Sequence, residues 1–428
     1  MFIEMVIRKS WEYETQRYQE VLNESLNMEL ERLYKDVKNE IKQHSVKGIC
    51  KVEYSEVIIE TMGCTYSHRN NEFCGCSMCD WDSLIIDLMA KMEALRKREV
   101  SLYAEAVRFS FINARGYQVN PNIVEEIAVH DAFSNWQMPI EVINRIFIED
   151  PVYTKKPIVG ILQARANSVN VERIAEWRQV FRKVMSVSIG VETSNEWIRN
   201  HWLNKNISNN QILDALKLLK EEGCNTSVNI LLGIPGFTER QSIENFDETI
   251  GWLYGRKDVD LITVSPLVTR RKTLQGLIDK VVNSPEYEGN YTNPITIISQ
   301  HMALLLVIKK YPGIEKKLVL SPPNCDSFFN QTKVHKDPML DELEETMYKF
   351  LKPLISIGSG RKLKEITSSG FETLELYRKY SEYIDNQRGG QQIKEQLLDM
   401  SKLIIEELWN AEFEIYYAQF RNEVKSIY

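Results

Sequence analysis

Gly63-Cys64-Thr65-Tyr66-Ser67-His68-Arg69-Asn70-Asn71-Glu72-Phe73-Cys74-Gly75-Cys76-Ser77-Met78-Cys79 gathers four of the chain's seven cysteines directly after the apolar, strand-like run Glu56 to Thr61. An odd cysteine count, with no charged-then-apolar leader at Met1, points to free thiols in a reducing cytoplasm rather than disulfides. Three thiolates on one loop suit an iron–sulfur cluster, and a cubane held by three protein ligands keeps one iron open to a further ligand. Two plainer readings compete. A structural zinc site usually draws on two separated cysteine pairs, whereas only Cys76 and Cys79 form a C-x2-C knuckle here. Cys64, Cys74 and His68 would have to complete that site from the same loop. Unliganded thiols, the other reading, do not call for four cysteines so close together.

Outward from the loop, short apolar runs alternate with amphipathic helical stretches, the pattern of repeated βα units around a parallel sheet. The runs are Glu56–Thr61, Ala106–Ile112, Pro157–Gln163, Ser186–Glu192, Thr226–Leu232 and Asp260–Pro266. Six units predict an α/β fold, a partial (β/α)6 TIM-like barrel over 53–290. A charged helical arm (1–52) precedes it, and a mostly helical region (291–428) with one further strand at Lys317–Ser321 follows. Asp82 reads as a helix cap, Pro121 as a first helical residue, Ser208 and Gly223 as the ends of one helix, and Thr238 with Gln241 as a capping box. A Gly358-Ser359-Gly360 break marks a joint in the last region. In such folds the loops after the strands form the ligand-facing rim, so the cysteine loop lies on it.

Bulk composition excludes several classes. With 53 Lys+Arg against 60 Asp+Glu, the formal charge of −7 lacks the basic footprint of a protein that grips nucleic acid by its backbone. No apolar stretch approaches the roughly 18 residues of a membrane span. His68, alone within the cysteine loop, reads as a solvated loop residue, and His130, His201, His301 and His335 show no metal-ligand spacing.

Cys64-x11-Cys76-x2-Cys79, with Met78 before the last cysteine, resembles the cluster loop of the radical S-adenosylmethionine (radical SAM) enzymes in a lengthened form. The usual loop there is C-x3-C-x-aromatic-C, and the lengthened form resembles the loop of the group containing the archaeosine synthase radical SAM subunit and the elongator catalytic subunit. Ile189-Gly190-Val191-Glu192-Thr193 followed by Asn204-Lys205, and Leu231-Leu232-Gly233-Ile234-Pro235-Gly236, agree with that group in order and spacing. Gln163-Ala164-Arg165 stands in place of an E-T-R-P segment, and Phe111-Ile112-Asn113-Ala114-Arg115-Gly116 where relatives carry a glycine-rich turn. Cys74 is extra, and offers an alternative to Cys76 as ligand. The resemblance runs from about Ile58 to Pro266.

The resemblance implies a [4Fe-4S] cluster on Cys64, Cys76 and Cys79, and S-adenosylmethionine bound at the open iron. One electron would split the cofactor into methionine and a 5′-deoxyadenosyl radical that takes hydrogen from a substrate carbon. It assigns cofactor contacts to Met78, Asn113, Arg115, Gly190, Glu192, Ile234 and Pro235, and catalytic roles to Glu192 and Arg165. Met78 and Ile234 can equally be core residues, Arg115 a solvated loop charge, and Glu192 with Arg165 a structural ion pair. Expected partners are a small-molecule or peptide substrate and a one-electron reductant such as flavodoxin or ferredoxin; transfer RNA is the alternative substrate. A non-catalytic iron–sulfur or zinc scaffold is the competing class, with the helical region from Leu340 onward as lid or interface.

Overall fold

The computed structural model describes residues 1–44, 49–50, 54–115, 124–149, 151, 158–267, 270, 272–282, 295–320, 338–354, 363–386, 392–409 and 413–426. Helices α1 (Phe2–Ser10), α2 (Glu12–Asn27) and α3 (Leu30–His44) come first, then strands β1 (Ile49–Cys50) and β2 (Tyr54–Ile58). A hairpin, β3 (His68–Arg69) and β4 (Glu72–Phe73), lies within the loop that leads to α4 (Ile86–Arg98) and α5 (Val100–Arg115). The repeating part continues through β5 (Val124–Ala128), α6 (Ile140–Asn144), β6 (Val159–Ala164), α7 (Val171–Val180), β7 (Val184–Glu192) and α8 (Asn209–Glu221). It closes with β8 (Asn225–Leu232), α9 (Glu239–Leu253), β9 (Leu261–Pro266), α10 (Leu274–Val282), α11 (Ile297–Lys310) and β10 (Leu318–Leu320). Helices α12 (Pro338–Leu351), α13 (Glu375–Asp385), α14 (Ile393–Trp409) and α15 (Phe413–Val424) end the chain.

The main sheet runs β1-β2-β5-β6-β7-β8-β9-β10; β1 is antiparallel to β2, and every later pairing is parallel. Seven parallel strands thus form the curled, partial barrel expected of the α/β pattern. One strand was expected in the wrong place. Ala106–Ile112 lies inside α5, where Tyr103, Val107, Phe111 and Ala114 repeat at helical spacing on a buried face. The true second strand, Val-Glu-Glu-Ile-Ala, hides behind its glutamates: Glu125 is buried against Arg115 (3.3 Å), and Glu126 accepts a bond from Gln163 Nε2 (3.0 Å). Arg115 is therefore a buried structural partner, not a solvated charge.

Capping boxes at Ser208/Gln211 and Thr238/Gln241 start α8 and α9, and Gly223 (φ +69°) follows α8. Pro121, Gly116, His335, Cys325 and the Gly358–Gly360 break lie outside the described residues. No helix among the described residues is long and apolar enough to cross a membrane.

Alternation divides the two faces of the sheet. Gly160, Leu162 and Ala164 are buried toward the helices, and a Cβ at Gly160 would land 2.2 Å from the Phe181 ring. The opposite, inner face carries Glu56 beside Glu126 in register, Gln163, and a hydroxyl–amide row in which Ser188 donates to Asn229 (2.8 Å). Burial, reinforced by Glu126, pushes the Glu56 carboxyl up from 4.5 to about 7. The folded state then binds a proton more tightly than the unfolded chain, so stability falls as pH rises from 4.5 through 7. Glu56→Gln is expected to stabilise the fold by up to ~3 kcal/mol at pH 8 and by little at pH 4, as read from urea midpoints at the two pH values.

The N-terminal helices pack into this core. Trp11 stacks on Phe73 (5.1 Å), Thr15 Oγ1 accepts from the Phe73 amide (3.2 Å), and Tyr18 covers His68 (4.1 Å). At the far end Phe2 packs on Phe420 (4.5 Å). The first and last described helices are joined in this way.

Candidate metal centre on the first-strand loop

Past β2 the chain turns at Gly63 (φ +81°), where a Cβ would meet Met89 Cε at 2.1 Å. The Cys64 carbonyl accepts from the amides of Ser67 (2.9 Å) and His68 (3.1 Å). From there the chain leaves the loop as the β3–β4 hairpin, closed by Asn70 and Asn71 in left-handed conformation. It returns where it left: the Cys74 amide donates to Ser67 O (2.8 Å), and Gly75 lies so close to Ser67 that a Cβ would stand 2.8 Å from its Cα. The hairpin accounts for the long gap. With it set aside, only Thr65, Tyr66, Ser67 and Gly75 separate Cys64 from Cys76 along the loop.

The rest of the loop is laid across the ends of other units. Asn204 Nδ2 donates to Cys74 O (3.0 Å) and Gly75 O (2.8 Å), Ser77 donates to Leu203 O and Trp202 O, and the Leu274 amide donates to Ser77 O (2.7 Å). Cys64, Cys76 and Cys79 thereby come within electrostatic reach of one another. Cys74 does not share that space; its thiol is buried against the Arg69 carbonyl (3.9 Å), in the field of Arg69, Arg8 and Glu4. Burial, then Asp82, pushes the Cys64 thiol up to about 12 and raises Cys79 well above the usual range. Thiols in this state bind iron only by releasing protons, so loading is expected to quicken from pH 6 to pH 9, which iron uptake followed by absorbance checks.

Other groups converge on the same loop. Arg165, at the end of β6, points Nη1 toward Cys76 Sγ (4.0 Å), donates Nη2 to Lys205 O (2.6 Å) and stacks on Tyr66 (3.8 Å), whose hydroxyl donates to Asn204 O (2.7 Å). Glu192, held at φ +63°, accepts from Lys205 Nζ (2.5 Å), not from Arg165. Gly190 leaves room for that pair; a Cβ there would stand 2.5 Å from Lys205 Nζ. Asp82 caps no helix. It is the second residue of a 3-10 turn, Trp81–Leu84, is 2% exposed, and faces His130 Nε2 (3.0 Å), Ser67 and the Cys64 backbone. Burial opposes its charge, yet these donors hold its carboxyl below the ordinary value. Gln137 ties the second rim loop to the first, donating to Thr61 Oγ1 (2.8 Å) and Gly63 O (2.9 Å).

The remaining expected contacts are scattered. Asn113 and Arg115 end helix α5 beside the amino end of β5, at the edge of the sheet away from the rim. Ile234 is buried, and the turn it begins is engaged within the protein: Pro235 O accepts from Trp202 Nε1 (2.8 Å), Gly236 N donates to Gln275 (3.2 Å), and Gly236 O accepts from Gln396 (2.8 Å). Met78 packs half-buried against the core. His68 packs between Tyr18 and Phe73. Beside Tyr66 and Arg165 opens a polar cavity of about 460 Å³, which Asp131, Asn135, Asn167 and Arg173 also line.

In the sequence Asp82 reads only as a helix cap, and His130, Gln137, Asn204 and Lys205 carry no site role. Only Asn204-Lys205 carried a signal, through its place after Glu192. Among the described residues no group of three or more His, Cys, Asp or Glu side chains is arranged to hold a metal ion. The fit to a cluster rests instead on donor chemistry, with three partly buried thiols on one loop and Arg165 beside Cys76.

No family model matches the chain. It is 25% identical over 189 residues to an uncharacterised protein of Methanocaldococcus jannaschii, a match covering 44% of this chain and 48% of that protein. The chain thus spans about half the length of the curated relative it matches. Among solved structures it is similar to the radical S-adenosylmethionine methyltransferase TsrM of Kitasatospora setae with tryptophan and a cofactor analogue bound (TM-score 0.39, 13% identity, 73% of this chain and 62% of that one). It is also similar to archaeal Elp3 of Methanocaldococcus infernus (0.39, 13%, 71% and 64%) and to methylornithine synthase (0.38, 12%, 81% and 95%).

Proposed function

We propose that the protein is a radical SAM enzyme, with a [4Fe-4S] cluster on Cys64, Cys76 and Cys79 and S-adenosylmethionine at its open iron. The observation that supports this is the hairpin: it folds a long cysteine spacing into a short one and leaves Cys64 and Cys79 within electrostatic reach of Cys76, with the Cys74 thiol against the Arg69 carbonyl instead. A cluster held by Cys64, Cys76 and Cys79 would supply the single electron that cleaves S-adenosylmethionine for hydrogen abstraction from a substrate. The chain's own residues do the positioning. Asn204 and Ser77 fix the loop, Arg165 and the Lys205–Glu192 pair present charge at the rim for the cofactor's polar groups, and the inner face of the sheet lines the reaction space.

The substrate in this proposal is a small molecule or peptide, and the electron donor a flavodoxin- or ferredoxin-like protein. A cavity of about 460 Å³ at Tyr66 and Arg165 lies within the usual range for small ligands, and the net charge of −7 gives no general attraction to RNA. Anaerobic protein should be brown and, with dithionite, release 5′-deoxyadenosine from S-adenosylmethionine. A colourless, zinc-loaded protein that leaves the cofactor intact would support the scaffold class instead.

A further inference from the structure

We propose that the inner face of the sheet binds a small substrate through a primary ammonium group, held at the corner where Glu56 on β2 meets Glu126 on β5. The inference rests on the proposed function above and names the class of molecule its reaction space takes. Glu56 and Glu126 are paired in register on adjacent parallel strands and so stand on the same face. Strands joined in this way lie about 4.8 Å apart, which makes the two carboxylates close neighbours. Both are only half-buried within an eight-stranded sheet, so this wall is open on its inner side.

Glu60 is a second, independent sign. The ladder carries on past β2, with the Ile59 amide donating to Ala128 O (3.1 Å), and strand alternation then returns Glu60 to the face of Glu56, nearer the rim. Glu60 is 8% exposed, and neither its carboxylate nor that of Glu56 has a hydrogen-bond or ion-pair partner among the described residues. His130, on the loop after β5, is held by Asp82 (3.0 Å) instead. A carboxylate drawn out of water with no partner is costly, and such a cost persists where a ligand brings the missing charge. The upward push on the Glu56 carboxyl, to about 7, agrees with that reading.

The adjoining strands complete the corner. Gln163 Nε2 donates to Glu126 (3.0 Å), which leaves its carbonyl oxygen as a third acceptor beside the two carboxylates. An alkylammonium has three donors to match them. Further along, Ser188 donates to Asn229 (2.8 Å) and lies 3.2 Å from Ser227 Oγ, so that stretch of wall is polar and uncharged, suited to the hydroxyl or carbonyl groups of the same molecule. A calcium-like ion takes about six to eight oxygen ligands, more than the corner offers.

Isothermal calorimetry at pH 8 on full-length, iron-free protein tests this, with putrescine and lysine as amine probes and with butanediol and magnesium ion as controls. At least one amine is expected to bind, and the neutral diol is not. Glu56→Gln, a variant expected above to leave the fold more stable, should weaken amine binding about tenfold or more, as the loss of a charged hydrogen bond does, and Glu126→Gln should do the same. Amines that do not bind, that bind both variants as tightly as wild type, or that are matched by the diol or by magnesium ion overturn the proposal. The readout needs no cluster. Protein that binds amines yet takes up no iron and leaves S-adenosylmethionine intact defeats the proposed function, whereas protein that cleaves S-adenosylmethionine and binds no amine defeats this inference alone.

Discussion

Cys64→Ala, Cys76→Ala and Cys79→Ala should each lower cluster content to near zero, while Cys74→Ala keeps most of it. The asymmetry follows from the hairpin. The first three thiols lie within electrostatic reach of one another, whereas the Cys74 thiol turns toward the Arg69 carbonyl on the side of α1. Iron and acid-labile sulfide per chain, with visible absorbance, measure the outcome. Losing one of three thiolates leaves an iron without its protein ligand, and no other described cysteine stands ready to replace it. Circular dichroism on the iron-free proteins separates lost ligation from lost folding. Equal loss in Cys74→Ala and Cys76→Ala would revive a fourth ligand.

Glu192→Gln should destabilise the chain by about 3–5 kcal/mol, because it strands the Lys205 ammonium in a buried site without its counter-charge. The pair is built in with some strain: Glu192 sits at φ +63°, and Gly190 is bare of a side chain where the two groups meet. Lys205 also anchors Arg165 through its carbonyl, so the loss is expected to spread to the cysteine loop and reduce iron retention. Urea denaturation reads the first effect and iron content the second. The double variant Glu192→Gln/Lys205→Met should recover most of the stability, since it removes both charges together. Additive losses would mean that the two side chains are not coupled.

The parallel sheet was legible because β6, β7, β8 and β9 are apolar runs with turn residues at their ends. Two capping boxes were equally plain, since Ser208 with Gln211 and Thr238 with Gln241 act locally. The second strand was not legible: its charges are satisfied by residues far away or on another element, Glu125 by Arg115 and Glu126 by Gln163, and no local pattern reveals such partners. A false strand took its place because Ala106–Ile112 is apolar enough to pass for one when read without its helical period. The error also moved Asn113 and Arg115 to the wrong edge of the sheet and hid His130 and Gln137, which follow the true strand.

The cysteine loop shows the same division. Its donors were evident from spacing, but the reason for the long gap was a tertiary fact. Asn70-Asn71 signals a tight turn, yet only the Ser67–Cys74 bond and the grip of Trp11, Thr15 and Tyr18 show that the intervening residues form a hairpin held from outside. Asp82 read as a cap because an acidic residue before an apolar helix usually is one. Here the demands of Cys64, Ser67 and His130 override that preference.

Low-temperature electron paramagnetic resonance of dithionite-reduced, anaerobically reconstituted protein, recorded with and without S-adenosylmethionine, addresses the open iron most directly. The expected result is a [4Fe-4S] signal whose g-values change when the sulfonium compound is added. A signal indifferent to it, or a protein that takes up zinc and no iron, would contradict the account.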